Sequence, residues 1–176
     1  CALATACSKH NTFQIKGNID NAANQTIYLE QMALTKNIQL DSAVISAQGD
    51  FKLKVSSPAY PEIYRLRLGN KQFLFPVDSC EVITIVADAS TFDSPKSIEG
   101  SDKAPQLQQL RNSVAQLQKL YQQTGENADS IQLVLNKINE HKQKAKQIIL
   151  QDPRSIVAYY ALYQKVDGLF LFTPQA

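Results

Sequence analysis

No apolar run in this chain of 176 residues approaches the ~20 residues that a helix needs to cross a bilayer. Cysteine is scarce: Cys1, Cys7 and Cys80 are the only three. The number is odd, no C-x-x-C spacing occurs, and no Cys/His cluster has ligand spacing. A disulfide framework or a zinc site is therefore not indicated. The charge of one sign is also small. A net +2 argues against a nucleic-acid partner, whose binding would rest on many phosphate contacts. Acid/base pairs, phosphate loops and metal sets are missing as well, so no catalytic, cofactor-binding or metal residue is assigned. What remains is ordinary for a folded protein: 44% hydrophobic and 19% charged residues. A chain of this length can bury roughly 70% of its unfolded surface.

The start reads as processing rather than fold. Cys1-Ala2-Leu3-Ala4-Thr5-Ala6-Cys7 is small and apolar, and Ser8-Lys9-His10-Asn11 turns abruptly polar. This is how a secretory signal peptide ends. Leu3-Ala4-Thr5-Ala6-Cys7 is similar to a bacterial lipobox, which makes Cys7 the lipidation candidate, although its large apolar residue sits four positions before the cysteine instead of three. Ala4-Thr5-Ala6 is alternatively a small-x-small cleavage site for ordinary secretion, and Cys1 is a second anchor candidate. Residues 1–11 are assigned to this remnant and tether.

The stretch from Tyr64 to Val86 organises the rest of the chain. Tyr64, Leu66 and Leu68 alternate with Arg65 and Arg67, the period of a half-buried strand. Gly69-Asn70 separates this run from Phe73-Leu74-Phe75-Pro76-Val77 and predicts a two-residue hairpin, with Gly at positive φ. Val82 to Val86 is a third run. Upstream, Phe13 to Ile19, Thr26 to Met32, Ile38 to Ile45 (with a bulge) and Phe51 to Val55 carry the same strand signals, and Ser56 to Pro61 reads as a loop. The count is about seven strands, an antiparallel β-sandwich or open barrel over residues 12–100.

Lys52, Lys54, Arg65 and Arg67 fall on the polar faces of two successive strands. Paired across a sheet they would form a basic stripe, either a contact surface for an anion or a solvated, charge-protected face. Cys80 precedes a strand, and the two histidines, His10 and His141, lie far from it in sequence without a motif. A structural or incidental thiol is the expectation there.

Near Gly100 the period changes. Ser101 or Asp102 can cap a helix whose seam is Leu107, Leu110, Val114, Leu117 and Tyr121. A second helix, about Asp129 to Gln151, has the seam Ile131, Val134, Ile138, His141, Ala145 and Ile148, which predicts a helical hairpin. Asp152 as N-cap with Pro153 in the first turn predicts a third helix, with Ile156, Tyr160, Tyr163 and Val166 buried and Gly168 as its stop. Tyr159, Tyr160 and Tyr163 are either core or a ligand groove. The fold class is thus α+β, with a three-helix segment over residues 101–176.

Phe13-Gln14-Ile15-Lys16-Gly17-Asn18-Ile19, Ile27-Tyr28-Leu29, Leu40-Asp41-Ser42-Ala43, Gly49-Asp50-Phe51, Pro61-Glu62-Ile63-Tyr64-Arg65-Leu66 and Asp152-Pro153-Arg154-Ser155 together carry a resemblance. The chain resembles an uncharacterised lipoprotein domain of Gram-negative gut bacteria, the domain of unknown function 4369 type. In that family the domain precedes a thioredoxin-like or peroxide-reductase-like thiol–disulfide oxidoreductase domain, whose catalytic cysteines lie in a C-x-x-C-type motif. No position here matches that motif, so no catalytic residue carries over. The resemblance implies a non-catalytic N-terminal module of a membrane-anchored oxidoreductase in the cell envelope, facing the periplasm or exterior. Its expected partners are a C-terminal thioredoxin-like domain, the membrane through a lipid anchor, and client proteins. The alternative is a stand-alone lipoprotein that binds glycan, peptide or lipid. Leu169-Phe170-Leu171-Phe172 after Gly168 reads as part of a continuing polypeptide.

Overall fold

The computed structural model describes residues 11–32, 36–124 and 128–172. It divides into two compact units, one ending at Pro105 and the other starting at Gln106.

The first unit contains β1 (Thr12–Asp20), β2 (Thr26–Gln31), β3 (Ile38–Val44), β4 (Asp50–Ser56), β5 (Glu62–Leu68), β6 (Lys71–Val77), β7 (Val82–Asp88) and the short β8 (Ser97–Glu99). They form two open four-stranded sheets, ordered β4-β1-β7-β8 and β3-β2-β5-β6. Alternation decides which side chains turn inward. On β4, Phe51 and Leu53 are buried and Lys52 and Lys54 exposed; on β5, Tyr64, Leu66 and Leu68 are buried. Both sheets feed one apolar core that includes Phe13, Ile15, Ile27, Leu29, Phe73, Phe75, Ile83 and Ile85, so the unit is a β-sandwich. The rings of Phe13 and Tyr64 meet at 4.8 Å between centroids.

Gly69-Asn70 makes the tight β5–β6 hairpin, with Gly69 at φ 58°. The bulge falls in the β2–β3 pairing, where the register shifts between Leu29 and Glu30. The sheets are antiparallel with one exception: β1 and β7 run parallel, Ile15 opposite Ile83 and Gly17 opposite Ile85. The chain between them travels through the whole second sheet, a connection long enough to return in the same direction. Gly17 is required at that seam, because a Cβ there would lie 1.8 Å from the Ile85 carbonyl oxygen.

The second unit takes up most of α1 (Lys103–Gln123), then α2 (Ala128–Gln151), α3 (Ile156–Leu162) and a small hairpin, β9 (Lys165–Val166) with β10 (Leu169–Phe170). Leu107, Leu110 and Leu117 of the α1 seam are buried, as are Val134, His141, Ala145 and Ile148 of α2. Tyr121 and Ile131, the outer ends of the two seams, are exposed. α3 packs against α2.

Three local expectations need correction. The N-cap of α3 is Ser155, whose Oγ accepts from the Ala158 amide at 3.0 Å, while the carbonyl of Asp152 accepts from Ser155 in the turn before it. Its buried side is Val157, Ala158 and Ala161, while Tyr163 is 56% exposed. Gly168 does not stop the helix, which ends at Leu162; with Asp167 (φ 49°) it makes the turn of the β9–β10 hairpin (φ 77°). Two consecutive positive φ values suit a type I′ turn, and Asp-Gly is its usual sequence.

Candidate functional site

The four cations do not form one stripe. Lys52 and Lys54 sit on β4 of one sheet, opposite Lys16 and Gln14 of β1, whereas Arg65 and Arg67 sit on β5 of the other. The Ser57–Pro61 loop, with Pro58 and Pro61, carries the chain from one sheet to the other, so strands adjacent in sequence are not neighbours in a ladder. Arg65 and Arg67 are also engaged. Both hold the buried Glu30 of β2, Arg67 through Nε at 2.9 Å and Arg65 through Nε at 2.5 Å and a second guanidinium nitrogen. Burial alone would raise the Glu30 carboxyl, but bonds and charge from Arg67 and Arg65 outweigh it and hold it below the usual carboxylate range. Arg67 lies over the Tyr28 ring at 4.3 Å, and Arg65 donates to Gln72 at 3.0 Å. This cluster ties β2, β5 and β6 together on one sheet face.

The sandwich opens at the end where β2 and β4 finish and β5 begins. There a cleft of about 710 Å³ is lined by Thr12, Gln31, Leu40, Lys54, Val55, the Ser56–Ala59 segment, Glu62 and Tyr64. Its polar centre is fixed by Gln31, which donates to the Glu62 carboxylate at 2.6 Å. Burial first, then the Glu62 charge, push the Tyr64 phenol up to about 12, so it remains a neutral donor. Met32, Leu40 and Tyr60 are exposed near this end, Tyr60 by 79%. The arrangement offers an oriented carboxylate, one ammonium, serine hydroxyls and apolar contact. It can hold a ligand of mixed polarity, and it pairs no nucleophile with a base.

Cys80 is not a free thiol. It is disulfide-bonded, which corrects the reading that no disulfide is indicated and that this thiol is incidental. Cys7, the lipidation candidate, and Cys1 lie outside the described residues. Beside Cys80, Glu81 accepts from the Asp78 amide at 2.9 Å, and Asp78 pairs with Lys103. Burial dominates at Glu81 and pushes its carboxyl up.

In the helical unit, His141 is 1% exposed. Its Nε2 lies 2.7 Å from Gln164 Oε1 and its Nδ1 lies 2.8 Å from Ser113 Oγ. An amide oxygen only accepts, so Nε2 carries the proton and Nδ1 accepts from the Ser113 hydroxyl. Burial lowers the His141 pKa, with the Lys144 charge acting in the same direction against the opposing Gln164 bond. The position of His141 on the α2 seam was legible; Ser113 and Gln164 as its partners were not, because nothing local marks them. A second cavity of about 330 Å³ opens between Ser113, Leu117 and Leu120 of α1 and Leu133, Lys137 and Lys144 of α2. Among the described residues, no group of three His, Cys, Asp or Glu could hold a metal ion.

A two-sheet sandwich followed in sequence by helices defines the α+β class of this protein. The chain belongs to the family described as domain of unknown function (DUF4369), whose model matches residues 13–107, from the second residue of β1 through β8 and into α1. Comparison with curated proteins gave no match.

Proposed function

We propose that this chain is a non-catalytic N-terminal module of a membrane-anchored, thioredoxin-like thiol–disulfide oxidoreductase of the cell envelope. The observation that supports a non-catalytic role is how the reactive side chains are used. Cys80 is in a disulfide, His141 is locked between Ser113 and Gln164, and Glu30 is held by two arginines. Each holds structure together. The oxidoreductase context rests on the family resemblance. In this reading a lipid attached near the start of the chain holds it at the membrane, the sandwich stands between membrane and redox domain, and the end cleft helps to select client proteins.

The test is the native gene read past the codon for Ala176, followed by assay of the full-length product. A downstream domain with a C-x-x-C-type motif is expected, and deletion of residues 12–172 is expected to leave turnover of a small disulfide unchanged while slowing reduction of protein clients. A gene without such a domain removes the oxidoreductase reading. The second reading, a stand-alone ligand-binding lipoprotein, is favoured by the 710 Å³ cleft. It predicts palmitate labelling of the chain, with no redox domain encoded.

A further inference from the structure

We propose that the helical unit carries a binding site for a small organic carboxylate with a flat ring body, seated against Gln164, Lys165, Tyr160 and Tyr163. The site is a cavity of about 270 Å³ lined by Val114, Tyr160, Tyr163, Gln164 and Lys165. It shares no lining residue with the end cleft, while its Gln164 also holds His141.

The donor set selects the ligand. Gln164 is 5% exposed, and its amide nitrogen is buried without a hydrogen-bond acceptor. A buried donor with no acceptor is destabilising and uncommon in a folded protein. In this orientation the amide oxygen lies 2.7 Å from His141 Nε2, and Ser113 Oγ lies 2.8 Å from Nδ1 on the other side of that ring. Lys165 lines the same cavity and forms no ion pair among the described residues; its ammonium rests on the Phe170 ring at 4.1 Å. An amide N–H and an ammonium donate and do not accept, so together they favour an anionic acceptor, and a planar carboxylate can bridge both.

The cavity's aromatic walls are Tyr160 and Tyr163, and Tyr159 and Phe170 lie beside Tyr163. Tyr163 packs with Tyr159 at 4.8 Å and meets Phe170 edge-on at 6.4 Å. Tyr159, Tyr163 and Phe170 are 59%, 56% and 48% exposed, an unusual cost in apolar surface for three adjacent aromatics. Aromatic faces stack on flat rings, either an aryl ring or the apolar face of a sugar. The volume suits one ring with its acid group and excludes a polymer chain from the interior. Aromatic acids and uronic acids share this chemistry.

The whole chain, labelled with ¹⁵N, is titrated by NMR with benzoate and with glucuronate, and separately with the neutral analogues benzyl alcohol and glucose. The expected result is saturable shifts at the Gln164 side-chain amide and at Tyr163 and Lys165 with at least one acid, and neutral analogues at least about tenfold weaker. Whichever acid is preferred supports the proposal and identifies the ring. Lys165→Glu, an exposed change, is expected to weaken binding at least about tenfold while all other amide positions keep their dispersion. Gln164→Glu retains an oxygen for His141, loses the donor and is expected to abolish binding. No saturable shift with either acid up to about 10 mM, equal binding of neutral analogues, or unchanged affinity in a folded Lys165→Glu each overturns the proposal.

Discussion

The β unit and the helical unit are stabilised by different means. In the β unit, strands of six to nine residues, the three-residue β8 apart, bury alternate side chains in one apolar cluster, with Phe13, Phe73, Phe75 and Phe92 fully enclosed. In the helical unit the apolar seams are narrow, and buried polar side chains stand among them: Gln108, His141, Ser155 and Gln164. Leu133, Leu135, Leu150, Tyr159 and Tyr163 remain exposed there. Two long helices with thin seams leave register undefined, since Leu can meet Leu at several offsets. A histidine that must find one hydroxyl and one amide oxygen does not have that freedom, so the polar contacts supply the specificity that apolar packing lacks.

The largest effect that tests this contrast is a core truncation. Phe75→Ala, with 0% exposure, is expected to lose about 3–5 kcal/mol, and Leu117→Ala, at 3% in the helical unit, about 2–3 kcal/mol. Urea unfolding followed residue by residue in NMR spectra separates the two units. A larger loss for Leu117→Ala than for Phe75→Ala would reverse the comparison.

The contrast also explains what could be read from the chain in advance. Inward and outward positions were legible because alternation is a local property: Phe51-Lys52-Leu53-Lys54-Val55 shows it in five residues. The Gly69-Asn70 hairpin was legible for the same reason, since turn chemistry is local. The partner of each strand was not. Lys52, Lys54, Arg65 and Arg67 have the right alternation and the wrong neighbours, because local pattern says which face a residue takes and nothing about which sheet its strand joins. The end cleft assembles from β1 through β5, and the His141 contacts span 28 and 23 residues, so neither leaves a local mark.

The next effect concerns the ion cluster. Glu30→Gln leaves Arg65 and Arg67 without a counter-charge, and their side chains are 17% and 33% exposed, so water relieves part of the penalty. A loss of about 1–3 kcal/mol is expected. Because the Glu30 pKa is lowered on folding, the carboxylate's contribution is present above its unfolded value near 4.5 and is lost as pH falls through the folded value. Glu30→Gln should therefore flatten the acid limb of the β unit's stability profile; an unchanged limb would show that the cluster is not electrostatically coupled to folding.

A smaller effect contrasts His141 in the helical unit with Glu81 in the β unit by the sign of their pH response. The His141 pKa is lowered from 6.5, so the unfolded chain binds a proton before the folded one does. Stability is full above pH 6.5 and falls as pH drops toward the folded value, by at most about 1.4 kcal/mol per pH unit. Ser113 and Gln164 contact the ring, and Lys144 opposes its protonation. Glu81 in the β unit behaves oppositely. Its pKa is raised above 4.5, so stability falls as pH rises from there to the folded value. Residue-resolved urea unfolding at pH 7 and pH 5 should show the helical unit losing stability on acidification, and His141→Gln should remove that loss. An acid response unchanged in His141→Gln would assign it to other groups.

The smallest effect compares two turns that look alike. Gly69 in the β unit has φ 58° and Gly168 in the helical unit has φ 77°, and an added Cβ would meet nothing within 4 Å at either place. Sterics outside the residue's own backbone are therefore absent, and the cost of Ala is the left-handed conformation alone, about 1 kcal/mol at each site. The consequences should still differ. Gly69 joins two seven-residue strands whose pairing runs from Glu62 opposite Val77 to Leu68 opposite Lys71, so the turn is held by a long ladder. Gly168 joins two strands of only two residues each, β9 and β10, with little ladder to hold the turn. Amide exchange should then show Gly69→Ala lowering protection across the β unit evenly, as a loss of global stability, while Gly168→Ala raises exchange at Leu169 and Leu171 far more than in α2. Even protection losses in both variants would mean that the small hairpin opens only with its whole unit.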